Sequence, residues 1–407
     1  MRPGSAQTGS LFFMLNEHGD IDHIVPIIWR CAQEGSRCLI FFPMNYDWRH
    51  DYRLLFLSKC ANVEICELWG AHLPTIAGKL YRRLRYGRGF ARRFLKKHRV
   101  RACVTQWSVI GKDLMGRFLA ATRVLNIRWF AVPHGCNVHL NYDKNDAARQ
   151  KFKRVGRWLD QTALNVCDHF IVDSPYNKQF SIEGGIHPDK CHAWGSARFS
   201  LEWVVKNLEI CPAFAPLKDA SNKRRVLFFM PHWRNNVDQS ATTRLLERLA
   251  RLSSVYLVTR DHTRGNGSLP ADWRDRLNGY PNVEASVEIP SPALVDWADV
   301  VISFGTSIGV EAICQNKALI NPKYLHGNTT IFDKTGSCLT CGSEDEVIAM
   351  LETTPPIDED SRRELLKEVV YGGREPFDVL GFYAAEIMGN AEPARSQSHG
   401  TPKGIRG

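Results

Sequence analysis

The densest chemistry in the chain lies in residues 296–321, DWADVVISFGTSIGVEAICQNKALIN. An apolar run, Val300–Ser303, breaks into Phe304-Gly305-Thr306-Ser307, and a short apolar helix from Ile308 to Gln315 carries one acid, Glu311. A strand that turns through glycine and hydroxyl residues into a helix presents unpaired N–H groups and the positive end of the helix dipole together. That combination suits an anion such as a diphosphate, with Gly305, Thr306 and Ser307 around it. Thr306 or Ser307 is placed as N-cap. Glu311, about one turn in, is placed to accept hydrogen bonds from ribose or sugar hydroxyls while phosphates occupy the turn. A plain βαβ crossover with a capped helix fits the same pattern, so the other strand ends must decide.

The first apolar run is followed by NEHGDIDHIVPI, in which His18-Gly19-Asp20 reads as a tight loop ahead of a helix, with Asp20 as its cap. Glu17 and His18 can take part in acid–base chemistry there. Phe130–Val132 leads into Pro133-His134-Gly135; a histidine on a rigid strand end can abstract a proton, which makes His134 the first candidate base. Ser174-Pro175 is a helix-start signal, and Trp194–Arg198 a small-residue turn that brings a guanidinium to the cleft. Farther on, His232, Arg234 and Asn235 follow one strand, and Arg260-Asp261-His262-Thr263-Arg264 follows another. Histidine and arginine at two strand ends, with a helix N-terminus at a third, read together as a diphosphate site.

Short apolar runs alternating with helical patterns predict parallel α/β sheets. In the first half the strands are Leu11–Leu15, Cys38–Phe42, Val63–Cys66, Ala102–Thr105, Arg128–Val132 and His169–Val172, with helices such as Ile24–Glu34 and Gly111–Asn126 between them. The second half restarts with Arg225–Met230, Val255–Thr259, Val283–Ala285, Val300–Ser303 and Ala318–Ile320. This predicts two doubly wound, Rossmann-like domains facing a cleft, with ligands outside the carboxyl ends of the strands. The expected boundaries are 10–206 for an acceptor-side domain, 207–223 for a linker with two prolines, 224–375 for a donor-binding domain and 376–390 for a C-terminal helix. Residues 1–9 and 391–407 read as disordered.

At 407 residues the chain has room for two cores, and 44% hydrophobic with 24% charged residues is ordinary for a globular protein. No apolar run approaches the ~20 residues that span a bilayer, and the first residues lack the apolar stretch of a secretory signal. The twelve cysteines are scattered, and only Cys338 and Cys341 form a C-x-x-C pair, without the four ligands of a zinc site. A reduced, cytoplasmic protein with no metal and no cofactor is expected. The net charge of +10 is concentrated between Lys79 and Arg101, which hold eleven Lys/Arg and no acid. Aromatic and leucine residues are interleaved, which predicts a basic amphipathic helix interrupted at Gly87 and Gly89. Such a segment suits an anionic bilayer surface or a phosphate-bearing acceptor, with Arg82, Arg83, Arg92 and Arg93 in contact, although a solvated helix face has the same pattern. No nucleic-acid-binding signature accompanies it.

Taken in order, four of these motifs resemble the two-domain GT-B glycosyltransferase superfamily. They are HGDIDHIVPI (His18–Ile27), Pro133-His134-Gly135, Thr259–His262, and DVVISFGTSIGVEAICQNKALINP (Asp299–Pro322). Within it the chain looks most like CDP-glycerol glycerophosphotransferases, surface-polysaccharide transferases of capsule and lipopolysaccharide pathways, and UDP-N-acetylglucosamine 2-epimerases. The resemblance implies a transferase, expected to be metal-independent, taking a nucleotide-activated sugar or polyol donor and a glycan or lipid-linked acceptor; the alternatives are a 2-epimerase-like isomerase and a non-catalytic nucleotide-sugar-binding protein. It would work in the cytoplasm, peripherally at the inner face of the plasma membrane, without nucleic acid. It implies further that Thr306, Ser307 and the helix amides meet the donor diphosphate, that His262 touches the donor phosphate, and that His134 lies on the acceptor side. The chain departs from the family in two places: Arg260-Asp261 stands where Lys-Pro is usual, and Phe304–Glu311 replaces the serine-rich run of the glycerophosphotransferases. The second departure favours a sugar donor. The acidic set of the epimerases' first domain has no clear counterpart.

Overall fold

The computed structural model describes residues 9–15, 18–42, 46–67, 81, 85–107, 114–133, 135–140, 150, 152–154, 156, 160–262, 268–353 and 357–389. Its strands are runs such as Ser-Leu-Phe-Phe-Met, apolar on both faces, and such runs lower their free energy only when helices cover the sheet on each side. The first sheet contains β1 (Ser10–Met14), β2 (Arg37–Phe41), β3 (Val63–Cys66), β4 (Val100–Gln106), β5 (Arg128–Val132), β6 (His169–Val172) and β7 (Cys191–Ala193), in the order β3-β2-β1-β4-β5-β6-β7. The second contains β8 (Arg224–Phe229), β9 (Val255–Arg260), β10 (Val283–Glu284), β11 (Val300–Ile302), β12 (Ala318–Pro322) and β13 (Leu339–Cys341), in the order β10-β9-β8-β11-β12-β13. Every pairing is parallel.

The period of two sorts side chains into opposite layers. Leu11 and Phe13 enter the layer with Ile24 and Ile28 of the helix His18–Gln33, while Phe12 and Met14 enter the one with Phe118. There the rings of Phe12 and Phe41 lie 5.0 and 4.9 Å from that of Phe118. The first layer continues into the second domain: Phe199 and Trp203 share one apolar cluster with Leu294, Val301 and Ile313.

The helix Val379–Met388 returns from the second domain to the first. Asp378 at its N-cap meets Arg30 at 2.6 Å, and Tyr383 donates to the Gly195 carbonyl at 2.8 Å. At its other end Arg101 donates to Met388 O and Arg128 to Ile387 O, both at 2.9 Å, so two cations satisfy the last carbonyls and the negative end of the dipole. Where the chain crosses back, Gly195 adopts φ +90° and Ser196 N donates to Val370 O at 3.0 Å.

The structure moves several boundaries. His18, Gly19 and Asp20 form the first turn of the helix His18–Gln33 rather than a loop ahead of it, so Asp20 is not its cap. Pro26 lies inside that helix; buried Ile21, Ile24 and Ile28 anchor it across the proline. In the basic segment, Gly87 is the N-cap of the helix Arg88–Lys97, whereas Gly89 lies within it and interrupts nothing. The helix Leu201–Ile210 runs into the stretch read as linker. All twelve cysteines are free thiols, and among the described residues no helix is long and apolar enough to cross a membrane.

A Cβ at Gly195 would lie 2.3 Å from the Val370 carbonyl oxygen, on backbone that cannot swing aside as a side chain can. Gly195→Ala is therefore expected to destabilise the fold by at least about 2 kcal/mol, read as a lower urea midpoint at unchanged slope.

Candidate functional site

In the second sheet β9, β8 and β11 are neighbours, and the strand order reverses between β8 and β11. In doubly wound sheets a crevice opens at that point, outside the carboxyl ends of the strands. The three strands end in His262, His232 and the Phe304–Ser307 turn, so spatial order joins what the chain separates. The His232 and His262 rings meet edge to face, with centroids 5.4 Å apart. Arg234 donates its backbone N–H to His232 Nδ1 at 3.3 Å and leaves its side chain exposed beside the crevice. Arg260 instead turns inward: it donates to Val287 O at 2.9 Å, and burial lowers its pKa.

Gly305 is required by the turn. Its φ is +70°, and a Cβ there would stand 2.4 Å from Thr330 Cγ2. The Ser303 and Thr306 hydroxyls bond each other at 2.9 Å. Ser307 occupies the N-cap of the helix Ile308–Cys314, but its hydroxyl makes no capping bond. That helix is seven residues long and wholly buried, Glu311 included.

Glu311 is not presented as an open acceptor. Its carboxylate, only 7% exposed, receives Arg198 Nη2 at 3.4 Å, and Arg198 Nη1 reaches Asp22 Oδ2 at 3.2 Å. Asp22 also pairs with Arg53, whose Nη2 meets Asp51 Oδ2 at 2.7 Å. A chain of alternating charges, Glu311–Arg198–Asp22–Arg53–Asp51, thus runs from the second domain into the first. Burial pushes the Glu311 carboxyl above the usual glutamate range, and the Arg198 guanidinium opposes that rise. Burial also works against the charge on Arg198, but Asp22 and Glu311 outweigh it and hold its pKa above the ordinary arginine value.

Main chain also links the two domains. Leu140 N donates to Thr329 O and Ile331 N to Val138 O, each at 2.8 Å, so the loop after β5 pairs with the strand-like stretch before the helix Ile331–Thr335. Behind this loop Asn177 Nδ2 donates to Asp173 Oδ1 at 2.5 Å and to Asn137 O at 3.3 Å. Ser174 caps the helix that carries Asn177, as the Ser-Pro signal predicts. Burial raises the pKa of Asp173. On the opposite side His326 is buried against Phe304; its Nε2 meets Asn321 Oδ1 at 2.7 Å and its Nδ1 accepts from Asn328 N at 3.3 Å.

His232, Arg234, His262 and the Gly305-Thr306-Ser307 turn thus follow three neighbouring strands at their carboxyl ends, while Glu311 lies on the buried helix after the third, against Arg198. His134, Glu17, Arg82 and Arg83 lie outside the described residues. His18 opens the first helix, while Arg92 and Arg93 sit exposed on the helix Arg88–Lys97, on the first domain. Asp22, Arg53, Asp51 and His326 were not singled out from sequence. Their signal is weak, because each is an ordinary polar residue until its distant partner is known.

No protein-family model matches the chain, and no curated protein matches it in sequence. Solved structures share its fold. A putative UDP-N-acetylglucosamine 2-epimerase from Listeria monocytogenes is 11% identical with a TM-score of 0.58, over 94% of this chain and 95% of that one. The UDP-GlcNAc 2-epimerase of Neisseria meningitidis, bound to UDP-GlcNAc, is 12% identical with a TM-score of 0.57, over 93% and 98%. The glycotransferase of kitacinnamycin is 12% identical with a TM-score of 0.50, over 94% and 96%. The two parallel-sheet domains are of the GT-B type.

Two expectations follow. Arg198→Met leaves the Glu311 carboxylate buried without its partner and should cost about 3–5 kcal/mol, whereas Arg198→Met with Glu311→Met should cost clearly less; chemical denaturation of the pair measures the difference. Burial pushes His326 down to about 4 from 6.5, so the unfolded chain binds the proton first and stability falls as pH drops through that window. The loss amounts to about 3 kcal/mol by pH 4. His326→Gln should flatten the slope of unfolding free energy between those pH values, measured by denaturation at each pH.

Proposed function

We propose that the chain is a GT-B-type enzyme acting on a nucleotide-activated sugar, and that it transfers the sugar, or a polyol phosphate, to a glycan or lipid-linked acceptor. Such acceptors belong to capsule and lipopolysaccharide assembly, which would place the enzyme at the cytoplasmic face of a membrane. One observation carries the reading: three adjacent strand ends at the switch point of the second sheet gather His232, His262 and the Gly305-Thr306-Ser307 turn. In this reading the diphosphate lies against the turn, Arg234 and the two histidines offset the charge of the leaving group, and the nucleotide's hydroxyls approach Glu311. His134 is the first candidate to deprotonate the acceptor hydroxyl, with Glu17 and His18 next.

Transfer is favoured over isomerisation by the state of the first domain's acids. Among the described residues Asp22 and Asp51 are tied to arginines, so neither is placed to take a proton from a sugar carbon. Isomerisation of the 2-epimerase kind is the second reading. It is favoured by the likeness in fold to the Listeria and Neisseria proteins.

Incubation with UDP-N-acetylglucosamine alone separates them. An epimerase yields UDP-N-acetylmannosamine, or N-acetylmannosamine and free UDP where water takes the nucleotide's place, whereas a transferase leaves the sugar unchanged until an acceptor is added. Under either reading a bound nucleotide sugar at ~100 times its dissociation constant stabilises the fold by about 2.7 kcal/mol, visible as a thermal shift. A panel of nucleotide sugars and CDP-polyols that shifts nothing would overturn both. Glu311→Gln should weaken binding of the preferred donor by only about 1 kcal/mol or less in calorimetry, because a ligand hydroxyl gains that carboxylate only by exchange with Arg198.

A further inference from the structure

A groove of about 600 Å³ opens beside β3, the edge strand of the first sheet, within the size range of small-molecule sites. One wall is a single stripe of the helix Arg88–Lys97 and its flanks: Tyr86, Phe90, Arg93, Phe94, Lys97 and His98. Their spacing of three and four residues puts them on one helix face. The facing wall is Phe41 at the end of β2 and Cys66 with Glu67 at the end of β3. The aromatic rings form a continuous surface, Tyr86 to Phe90 at 4.9 Å, Phe90 to Phe94 at 5.9 Å and Phe94 to Phe41 at 6.2 Å.

The charge in this groove is unbalanced. Glu67 is its one acid among the lining residues, and it already accepts from Trp48 Nε1 at 2.9 Å and Arg49 Nη2 at 2.5 Å. Arg85, Arg93 and Lys97 form no salt bridge with a carboxylate among the described residues. The sequence around them, Lys79 to Arg101, holds no acid at all. A small free anion would leave the aromatic wall uncovered, and an uncharged chain would leave three cations unanswered.

We propose that the groove binds an anionic amphiphile. One apolar chain lies against the half-buried rings of Phe90 and Phe94, and a phosphate monoester or diester head sits among Arg85, Arg93 and Lys97. Phe41 and Cys66 end β2 and β3, so the groove reaches the sheet edge on which β1 ends, about 10 Å away across two strand spacings. A lipid-linked acceptor held here would have its head on the cleft side of the domain. Only that last role rests on the proposed function; the binding site stands by itself.

Calorimetry on the full chain tests it with dodecyl phosphate below its micelle concentration, dodecyl maltoside below its own as the same chain with an uncharged head, and glycerol phosphate as a head without the chain. Dodecyl phosphate should bind at least about tenfold more tightly than either. Arg93→Glu with Lys97→Glu should lower its affinity by about tenfold or more, while Lys96→Glu with Arg99→Glu, the same change in net charge outside the groove, should alter it less than about twofold. Phe90→Ala should weaken dodecyl phosphate and leave glycerol phosphate unchanged, which decides the matter if the charge-reversed protein loses its far-UV circular dichroism. Equal losses for the two charge-reversed pairs, equal binding of glycerol phosphate, or no binding of dodecyl phosphate would each overturn the site. None of these readouts depends on a nucleotide sugar, so failure here and failure of the proposed function are distinguishable.

Discussion

The relation between the two domains depends on one half-buried guanidinium. Arg198 stands between Asp22 of the first domain's opening helix and Glu311 of the second domain's buried helix, at 3.2 and 3.4 Å. Removing ions from water is costly, and their mutual attraction compensates only when each has neighbours of opposite sign in good geometry. Alternation along Glu311, Arg198, Asp22, Arg53 and Asp51 supplies those neighbours. Apolar packing between Trp203 and Leu294 would tolerate a small slide of one domain over the other. A charge with partners on both sides would not, because a shift of an ångström leaves it buried and unanswered. The ion chain therefore sets register, while the apolar layer supplies most of the cohesion.

A second constraint acts where the chain crosses back. Gly195 lets the turn after β7 lie flat against Val370 and Gly372, at separations that leave no room for a side chain. The same turn delivers Arg198 three residues later. The helix Val379–Met388 then locks the arrangement: Tyr383 holds the Gly195 carbonyl, and Arg101 and Arg128 hold the helix end. Backbone close approach, a hydroxyl and two arginines from distant strands converge on the piece of chain that aims Arg198 into the cleft.

Much of this was legible in the chain. Continuous apolar runs announced parallel strands buried on both faces, and the polar residues that follow them marked where β8, β9 and β11 end, because strand ends are where such sheets expose polar groups. Two of the four edge strands were not legible. Cys191-His192-Ala193 and Leu339-Thr340-Cys341 are three residues each, without an apolar run, and become strands only because β6 and β12 offer them a ladder. The start of the first helix was obscured by Pro26, which local propensity places near a helix start and which packing of Ile24 and Ile28 holds inside one. The ion chain was hidden for a different reason: Arg198 and Glu311 are 113 residues apart, and nothing local in either marks the other as its partner.

The two candidate sites differ in how their charge is balanced, and the difference has a mechanical consequence. In the cleft, Glu311 is already answered by Arg198, so a ligand hydroxyl gains a strong acceptor only by sharing or displacing that guanidinium. The energy of such an exchange is small, since one charge-assisted contact replaces another, but its geometry is large, since Arg198 is also the link to Asp22. Ligand contact at Glu311 therefore bears directly on the bond that holds the domains in register, and linkage requires domain position to bear equally on ligand affinity. In the groove beside β3 the cations have no carboxylate partner among the described residues. A ligand there replaces only water, and the first domain can take it up without any change in how it faces the second.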